Sequence, residues 1–550
     1  MEKLTKFQKD VLKECIQKKS GGLSLNMGQG KTFIGLSMGA TFKTGNGKAI
    51  VVVSKNLVSN WISELKKFFG DTLSYIVFHQ DKLKNIDTFR YNDLKAQIVI
   101  VTPEVLSKFY KKYDIEHKFL DVKLVFNGLF DIPHIVYRKV NKALLENCDG
   151  TIGSALYTKE WGSVIIDEGQ NHTNIKVSKC QAICSIFSKH RWVMSGTMFN
   201  EPKTERILGY YCMINCQTFP RTLPDTEKFI RTNQFKGINQ TLVYRPPKQV
   251  TNKNGVVKYN QHIISHTLSE PEELLYISMN KILKIIQKKF YLYKNIQDTD
   301  NARKYSSYLL AMLGYLRQSI VCPLMVLAKC SLDMIDIEKK SELSAMIYNE
   351  FKSLGLEPYL NNVDSVKSSR MKSILEQIDK HQNDNITIFS CYRTSIDILK
   401  TYISTDRKVS SIDGSMSISR REAIINEFKI KGDKGNVLFL TYDIGAEGLN
   451  LQESNTVMLL DMYWNDGKSK QAIARVLRNG QKSDIVNIYV FTSNTGVEKA
   501  VLGKQDEKID VINEMNIGPI KSKIKKIDVK EIIKMIDIHD CVSSLSKKYK

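Results

Sequence analysis

Short β-branched runs alternate with longer stretches of helical pattern over the first 200 residues and again from about residue 366. That alternation restricts the chain to parallel-sheet α/β construction, built twice. The runs AIVVVS (49–54), QIVIVT (97–102), SVIIDE (163–168) and RWVMSGT (191–197) predict strands of one sheet. NITIFS (385–390), VSSIDGS (409–415), NVLFLT (436–441), TVMLLD (456–461) and VNIYVFTS (486–493) predict strands of another. Each run ends in polar or small residues, so the chemistry is expected at the carboxyl edge of the sheet, where open α/β folds hold their ligands. The expected division is a first lobe over 1–210, helical insertions and a linker over 211–365, a second lobe over 366–496, and a helical, basic tail over 497–550. The linker contains the polar stretch RPPKQVTNKNG (245–255).

Charge narrows the partner. Lys plus Arg number 81 against 58 Asp plus Glu, a formal charge of +23, which favours a polyanion and makes nucleic acid the leading candidate. A Lys-rich composition by itself also makes chains basic, so charge supports this reading without deciding it. No stretch approaches the roughly 20 apolar residues that span a bilayer, and the N-terminus lacks the apolar core of a signal peptide. A soluble, intracellular protein with no membrane partner is expected. Among the ten cysteines, Cys180 with Cys184 and Cys212 with Cys216 stand at helical spacing, and no C-x-x-C knuckle occurs. Buried reduced thiols and no structural metal are expected, although spacing alone leaves open one zinc shared by both pairs.

Two segments carry the chemistry. GGLSLNMGQGKT (21–32) joins an apolar run to a helix through a glycine-rich turn, so the backbone N–H groups of Met27, Gly28, Gln29 and Gly30 can wrap a phosphate at a helix N-terminus. Lys31 would reach the terminal phosphates, and Thr32 would place its hydroxyl on Mg²⁺. Leu25 stands where a generic phosphate loop has glycine. The second segment ends the apolar run VIIDE in adjacent carboxylates. Asp167 can hold Mg²⁺, while Glu168 can orient and deprotonate the water that attacks the γ-phosphate of ATP.

These segments stand, with several others, in an order that resembles the Swi/Snf-type ATPases of helicase superfamily two. Gln8 in KFQKD resembles that family's adenine-reading glutamine. SKNLVSNW (54–61) and VTPEVL (101–106) resemble its phosphate-gripping motifs, which implies nucleic-acid contacts at Lys55, Asn60, Trp61 and Thr102. RWVMSGTMFNE (191–201) is similar to the element that couples hydrolysis to lobe movement, through Ser195 and Thr197 with Gln170. LRQSIVCPL (316–324) is similar to another family segment. TYDIGAEGLNLQESNTVMLLDMYWN (441–465) resembles the motif that touches polymer and nucleotide together, which implies Gly445 and Asn450 on nucleic acid and Gly448 on ATP. QAIARVLRNGQ (471–481) resembles the final motif: Gln471 couples, while Arg475 and Arg478, on a helix, reach the γ-phosphate. VEKAVLGKQDEK (497–508) resembles the brace helix that follows the second lobe. Two departures stand out: Gly169 and Gln170 replace the usual Ala-His, and Leu477 replaces a usual His.

The resemblance covers residues 4–515. It implies an α/β fold of two RecA-like parallel-sheet lobes with helical insertions between them and a C-terminal helical brace. It also implies a DNA-stimulated ATPase that uses Mg²⁺ and translocates on double-stranded DNA. A strand-separating DNA or RNA helicase and a non-catalytic assembly factor that keeps the fold are the competing readings. The compact layout and the Lys-, Ile- and Asn-rich composition suit a motor of a large DNA virus. Transcription or replication proteins would be its partners in the nucleus, a cytoplasmic virus factory or the virion.

Overall fold

The computed structural model describes residues 4–25, 29–42, 44–79, 86–113, 150–196, 198, 203–214, 223–230, 243–244, 258–335, 341–356, 368–430, 432–445, 449–464, 466–478, 481–517, 532–534 and 536. The chain divides into two compact units. Met1–Val256 with Lys508–Lys525 form unit 1, and Val257–Glu507 with Lys526–Lys550 form unit 2.

Unit 1 is built on β1 (Gly21–Ser24), β2 (Ala49–Val52), β3 (Tyr75–Phe78), β4 (Ile98–Val101), β5 (Ser163–Asp167), β6 (Arg191–Ser195) and β7 (Val243–Tyr244). All pair in parallel, in the order β3-β4-β2-β5-β6-β1-β7. Every residue of β2, β4, β5 and β6 is buried, as a parallel strand covered on both faces requires. Alternate side chains enter opposite cores. Ile50, Val52, Val99, Val101, Val164 and Ile166 pack on one face, and Ala49, Val51, Ile98, Ile100 and Ile165 on the other. Helices Lys6–Lys18, Lys31–Thr41 and Val58–Phe69 contribute to the second core, with Phe33 stacked on Phe68 at 4.1 Å between ring centroids.

Strand order places the chemistry. The ends of β1 and β5 lie one strand apart, with β6 between them. Leu25, Asp167 and Ser195, far apart in the chain, therefore meet at one carboxyl edge, and the Leu25 N–H donates to the Ser195 carbonyl at 3.1 Å.

Unit 2 repeats the design with β8 (Lys258–His266), β9 (Ile386–Ser390), β10 (Val409–Ile412), β11 (Val437–Thr441), β12 (Thr456–Leu459) and β13 (Ile485–Ser493), in the order β10-β11-β9-β12-β13-β8, all parallel. β8 lies in the stretch expected to be helical or irregular. It pairs with β13 over nine residues, from Lys258 opposite Ile485 to His266 opposite Ser493. Its polar, mostly exposed sequence fits an edge strand rather than a core one. Long helices Glu270–Asn295 and Thr299–Val321 pair beside this sheet, with Pro323–Ile335 and Glu342–Ser353 completing a separate helical core.

Arg370, fully buried, ties unit 2 together. It donates to the Glu498 carboxylate at 2.7 Å, and Glu498 also accepts from the Ser493 hydroxyl at 2.7 Å. Burial, with the Arg370 charge beside it, pushes the His266 imidazole down to about 3.

The tail contributes more than charge. Ile532, Ile533 and Ile536 are at most 2% exposed and complete the helical core of unit 2. Ile536→Ala should therefore destabilise unit 2 by about 2–5 kcal/mol, read as a lower denaturant midpoint for that unit; an unchanged midpoint would remove the tail from the core.

Candidate nucleotide and nucleic-acid site

The phosphate-binding half of the site begins at Gly30, which caps helix Lys31–Thr41 in the left-handed region at φ 86°. Only glycine takes that conformation without strain. A Cβ at Gly30 would lie 2.2 Å from Nε2 of Gln8, so Gln8 is packed directly on the turn. The same amide donates to the Gln29 carbonyl at 3.4 Å, while Gln8 Oε1 accepts the Thr5 N–H in a capping box that starts helix Lys6–Lys18. Helix Lys31–Thr41 has no acidic residue in its first turn, so its N-terminal N–H groups and dipole are left for an anion. Met27 and Gly28 lie outside the described residues, as do Thr197 and Gly448.

Lys31 opens this helix, and its ammonium donates to Oε1 of Glu168 at 2.6 Å, with both side chains close to 10% exposed. Glu168 itself sits at φ 47°, a left-handed conformation that a non-glycine residue adopts only where its surroundings enforce it. Its second oxygen accepts from the Gln170 amide at 2.6 Å and from the Ser195 hydroxyl at 3.5 Å. Gln170 and Ser195, both buried, thus meet on Glu168. Asp167 is 6% exposed; its Oδ1 accepts the Glu168 N–H at 3.1 Å and its Oδ2 accepts the Trp61 indole at 2.8 Å.

These residues fit the groups that the motif implies. A glycine-entered helix end, an ammonium and two adjacent carboxylates form a donor set for a magnesium-bound triphosphate. Thr32, half-buried on the first helical turn, and Asp167 would hold Mg²⁺.

The nucleic-acid candidates divide by burial. Asn60 is exposed and Lys55 half-buried, both near the carboxyl end of β2. Trp61 is fully buried, which corrects its expected place on nucleic acid: its polar edge is spent on Asp167. Thr102, at the end of β4, is 1% exposed, and its hydroxyl has no hydrogen-bond partner among the described residues.

In unit 2, Asn450 is exposed and Gly445 buried. The Gly445 carbonyl accepts from Nε of Arg475 at 3.3 Å, and a Cβ there would strike the Phe389 ring at 2.4 Å. Arg475 is 4% exposed, Gln471 8%, and Arg478 half-buried. The two arginines were expected on a helix, but the helix Asp466–Ile473 stops before them. The Arg475 carbonyl accepts the Leu451 N–H at 3.2 Å instead, and this tertiary bond takes the place of a further helical one.

Arg317 shows what the LRQ segment does. Its guanidinium lies 5.1 Å from the Trp464 ring and 5.9 Å from Tyr392, and it donates to the Met462 carbonyl. It thereby fixes the turn that leads into helix Asp466–Ile473. The motif signalled this residue, but a sequence cannot show which backbone it holds.

Cys180 is a buried free thiol; its hydrogen bond with the Cys184 thiol, together with burial, pushes it well above the usual thiol range. Among the described residues no group of three His, Cys, Asp or Glu could hold a metal ion, and Cys216 lies outside them. No described helix is long and apolar enough to cross a membrane.

Residues 8–325 match the SNF2-related domain, and residues 367–480 match the helicase conserved C-terminal domain. Protein 172L of Invertebrate iridescent virus 6, which carries a helicase name, is 26% identical over 94% of this chain and 89% of its own length. The DNA repair and recombination protein RAD54-like of Drosophila pseudoobscura pseudoobscura is 23% identical over 97% of this chain and 68% of its own. The SNF2 domain-containing protein ENL1 of Oryza sativa subsp. japonica is 25% identical over 87% of this chain and 48% of its own. A solved Sulfolobus solfataricus SWI2/SNF2 ATPase core in complex with dsDNA overlaps 95% of this chain and 97% of its own at 17% identity and a TM-score of 0.36, too loosely to carry detail across. The SNF2-related match, at residues 8–325 of 550, spans more than half of the sequence: the chain belongs to the SNF2-related family, its two parallel-sheet units are RecA-like lobes, and it is a nucleic-acid-dependent ATPase.

Proposed function

We propose that this ATPase is a double-stranded DNA translocase of a large DNA virus, serving transcription or replication of the viral genome. The observation that carries the motor reading is the buried Lys31–Glu168 pair at the head of a glycine-entered helix, with Asp167 beside it. The near end-to-end likeness to a viral protein supports the source. The DNA repair and recombination name of the RAD54-like relative supports DNA as the polymer.

The chain's own residues define the cycle. Glu168 accepts from the ammonium of Lys31 on one oxygen, so the two charges neutralise each other. Phosphate oxygens compete for the ammonium, and Glu168, still held by Gln170 and Ser195, becomes available to accept a proton from the attacking water. Magnesium supplies neutralisation of phosphate charge when bound. In this reading Arg475 and Arg478 stabilise the charge that develops on the γ-phosphate. The ties of Arg475 to Gly445 and Leu451 would link turnover to the segment that holds Gly445 and Asn450, the proposed polymer contacts of that lobe. Lys55 and Asn60 grip phosphates in the first lobe, so binding lacks sequence preference and weakens steeply with salt.

The deciding experiment is the ATPase rate with no polymer, single-stranded DNA, duplex DNA and RNA. Strongest stimulation by duplex is expected, whereas stimulation by RNA or single strands alone would refute the substrate. Lys31→Ala should abolish turnover while leaving the fold and DNA binding largely intact, at lower stability because Glu168 loses its partner; near-normal hydrolysis would refute the phosphate-loop assignment. Arg478→Ala should lower kcat by at least about a hundredfold with little change in ATP affinity, and a pure KM effect in steady-state kinetics would contradict its role.

A further inference from the structure

Helix Val58–Phe69 carries two neighbours with opposite surroundings: Asn60 is exposed, and Trp61 is fully buried. The indole fills the space left by the missing side chain of Gly35 on helix Lys31–Thr41, where a Cβ would lie 2.9 Å from Cη2 of Trp61. Its N–H then reaches Asp167 Oδ2 at 2.8 Å. One side chain thus touches the phosphate-loop helix and the magnesium-side carboxylate together. Packing alone does not require this partner. The other tryptophans of the same unit, Trp161 and Trp192, satisfy their indoles on the backbone carbonyls of Leu156 and Lys19.

We infer that Trp61 is a positioning residue of the ATP reaction: it orients Asp167 and, through the helix turn it shares with Asn60, carries polymer occupancy at Lys55 and Asn60 to that carboxylate. The inference rests on the reading of Asp167 as the magnesium-side acid. An indole donates and cannot accept, so it holds the ionised carboxylate in one rotamer. Outer partners of metal ligands act in this way, and their loss weakens metal affinity by about 10–100-fold. Asn60 and Trp61 are consecutive on one rigid element, so a displacement that a phosphate imposes at Asn60 reaches the indole without an intervening loop.

Trp61→Phe keeps an aromatic ring in the core and deletes the donor. The half-saturating Mg²⁺ concentration for hydrolysis should rise by about tenfold or more, while KM for ATP at saturating Mg²⁺ stays within about threefold. An unchanged Mg²⁺ requirement in a folded variant overturns the proposal. A second reading needs neither turnover nor that variant's fold. In protein labelled with ¹⁵N-tryptophan, the indole N–H resonance of Trp61 should move on Asp167→Asn. It should also move when duplex DNA is added to the native protein, and the DNA shift should vanish in the Lys55→Ala, Asn60→Ala double variant. A Trp61 resonance indifferent to Asp167→Asn overturns the positioning role, and duplex that binds without moving it overturns the link to the polymer. Failure of the motor reading shows separately, as turnover that survives Lys31→Ala.

Discussion

The ammonium of Lys31 against the carboxylate of Glu168 organises the first lobe's site. Both groups are nearly buried, and a buried charge left without its partner costs several kcal/mol. Each therefore constrains the other. Lys31 is held at the head of its helix, and Glu168 is held in a left-handed backbone conformation it would not otherwise keep. Gln170 and Ser195 are drawn in because the remaining carboxylate oxygen still needs donors. Glu168 thus divides its two oxygens, one to the ammonium of Lys31 and one to the neutral donors of Gln170 and Ser195.

The second lobe is held by a different device, arginines that end on backbone or on buried carboxylate. Arg370 joins the start of its helix to Glu498 on helix Gly496–Ile517. Arg407 donates to the Gly435, Ile378 and Asp384 carbonyls at the opposite end of the sheet. Arg317 and Arg475 hold the turns that precede and follow the residues from Asp466 to Ile473. The planar, fixed fork of a guanidinium satisfies several carbonyls where loops cannot form ladders. In a strongly basic chain, then, many cations face solvent while a few are structural clamps.

The core strands were legible because a parallel strand covered on both faces must be apolar along its whole length. AIVV and IVIV are apolar throughout, SVIID is apolar between its terminal Ser163 and Asp167, and each is wholly buried. The edges were not. β3 is four residues long and partly exposed, and β8 is mostly polar and exposed along its length, so neither separates from loop or helix by pattern alone. The tail isoleucines at 532, 533 and 536 sit among lysines and read as charge, because their burial depends on a core built mostly by the distant helices Glu270–Asn295, Thr299–Val321, Pro323–Ile335 and Glu342–Ser353.

The sequence by itself determined the residue chemistry: a glycine turn before Lys31 and Thr32, paired acids at 167 and 168, and two arginines at 475 and 478. Spacing and residue type suffice there, because phosphate, magnesium and proton transfer demand particular donors in a particular order. Tertiary structure alone decided who supports them. It assigned Trp61 to Asp167 instead of to polymer, brought Gln170 and Ser195 onto one oxygen of Glu168, and ended the Asp466–Ile473 helix before its arginines. Those outcomes depend on strand order and on which buried polar group lies within 3 Å or so of another, and an indole or a carbonyl in a linear chain carries no record of its neighbour.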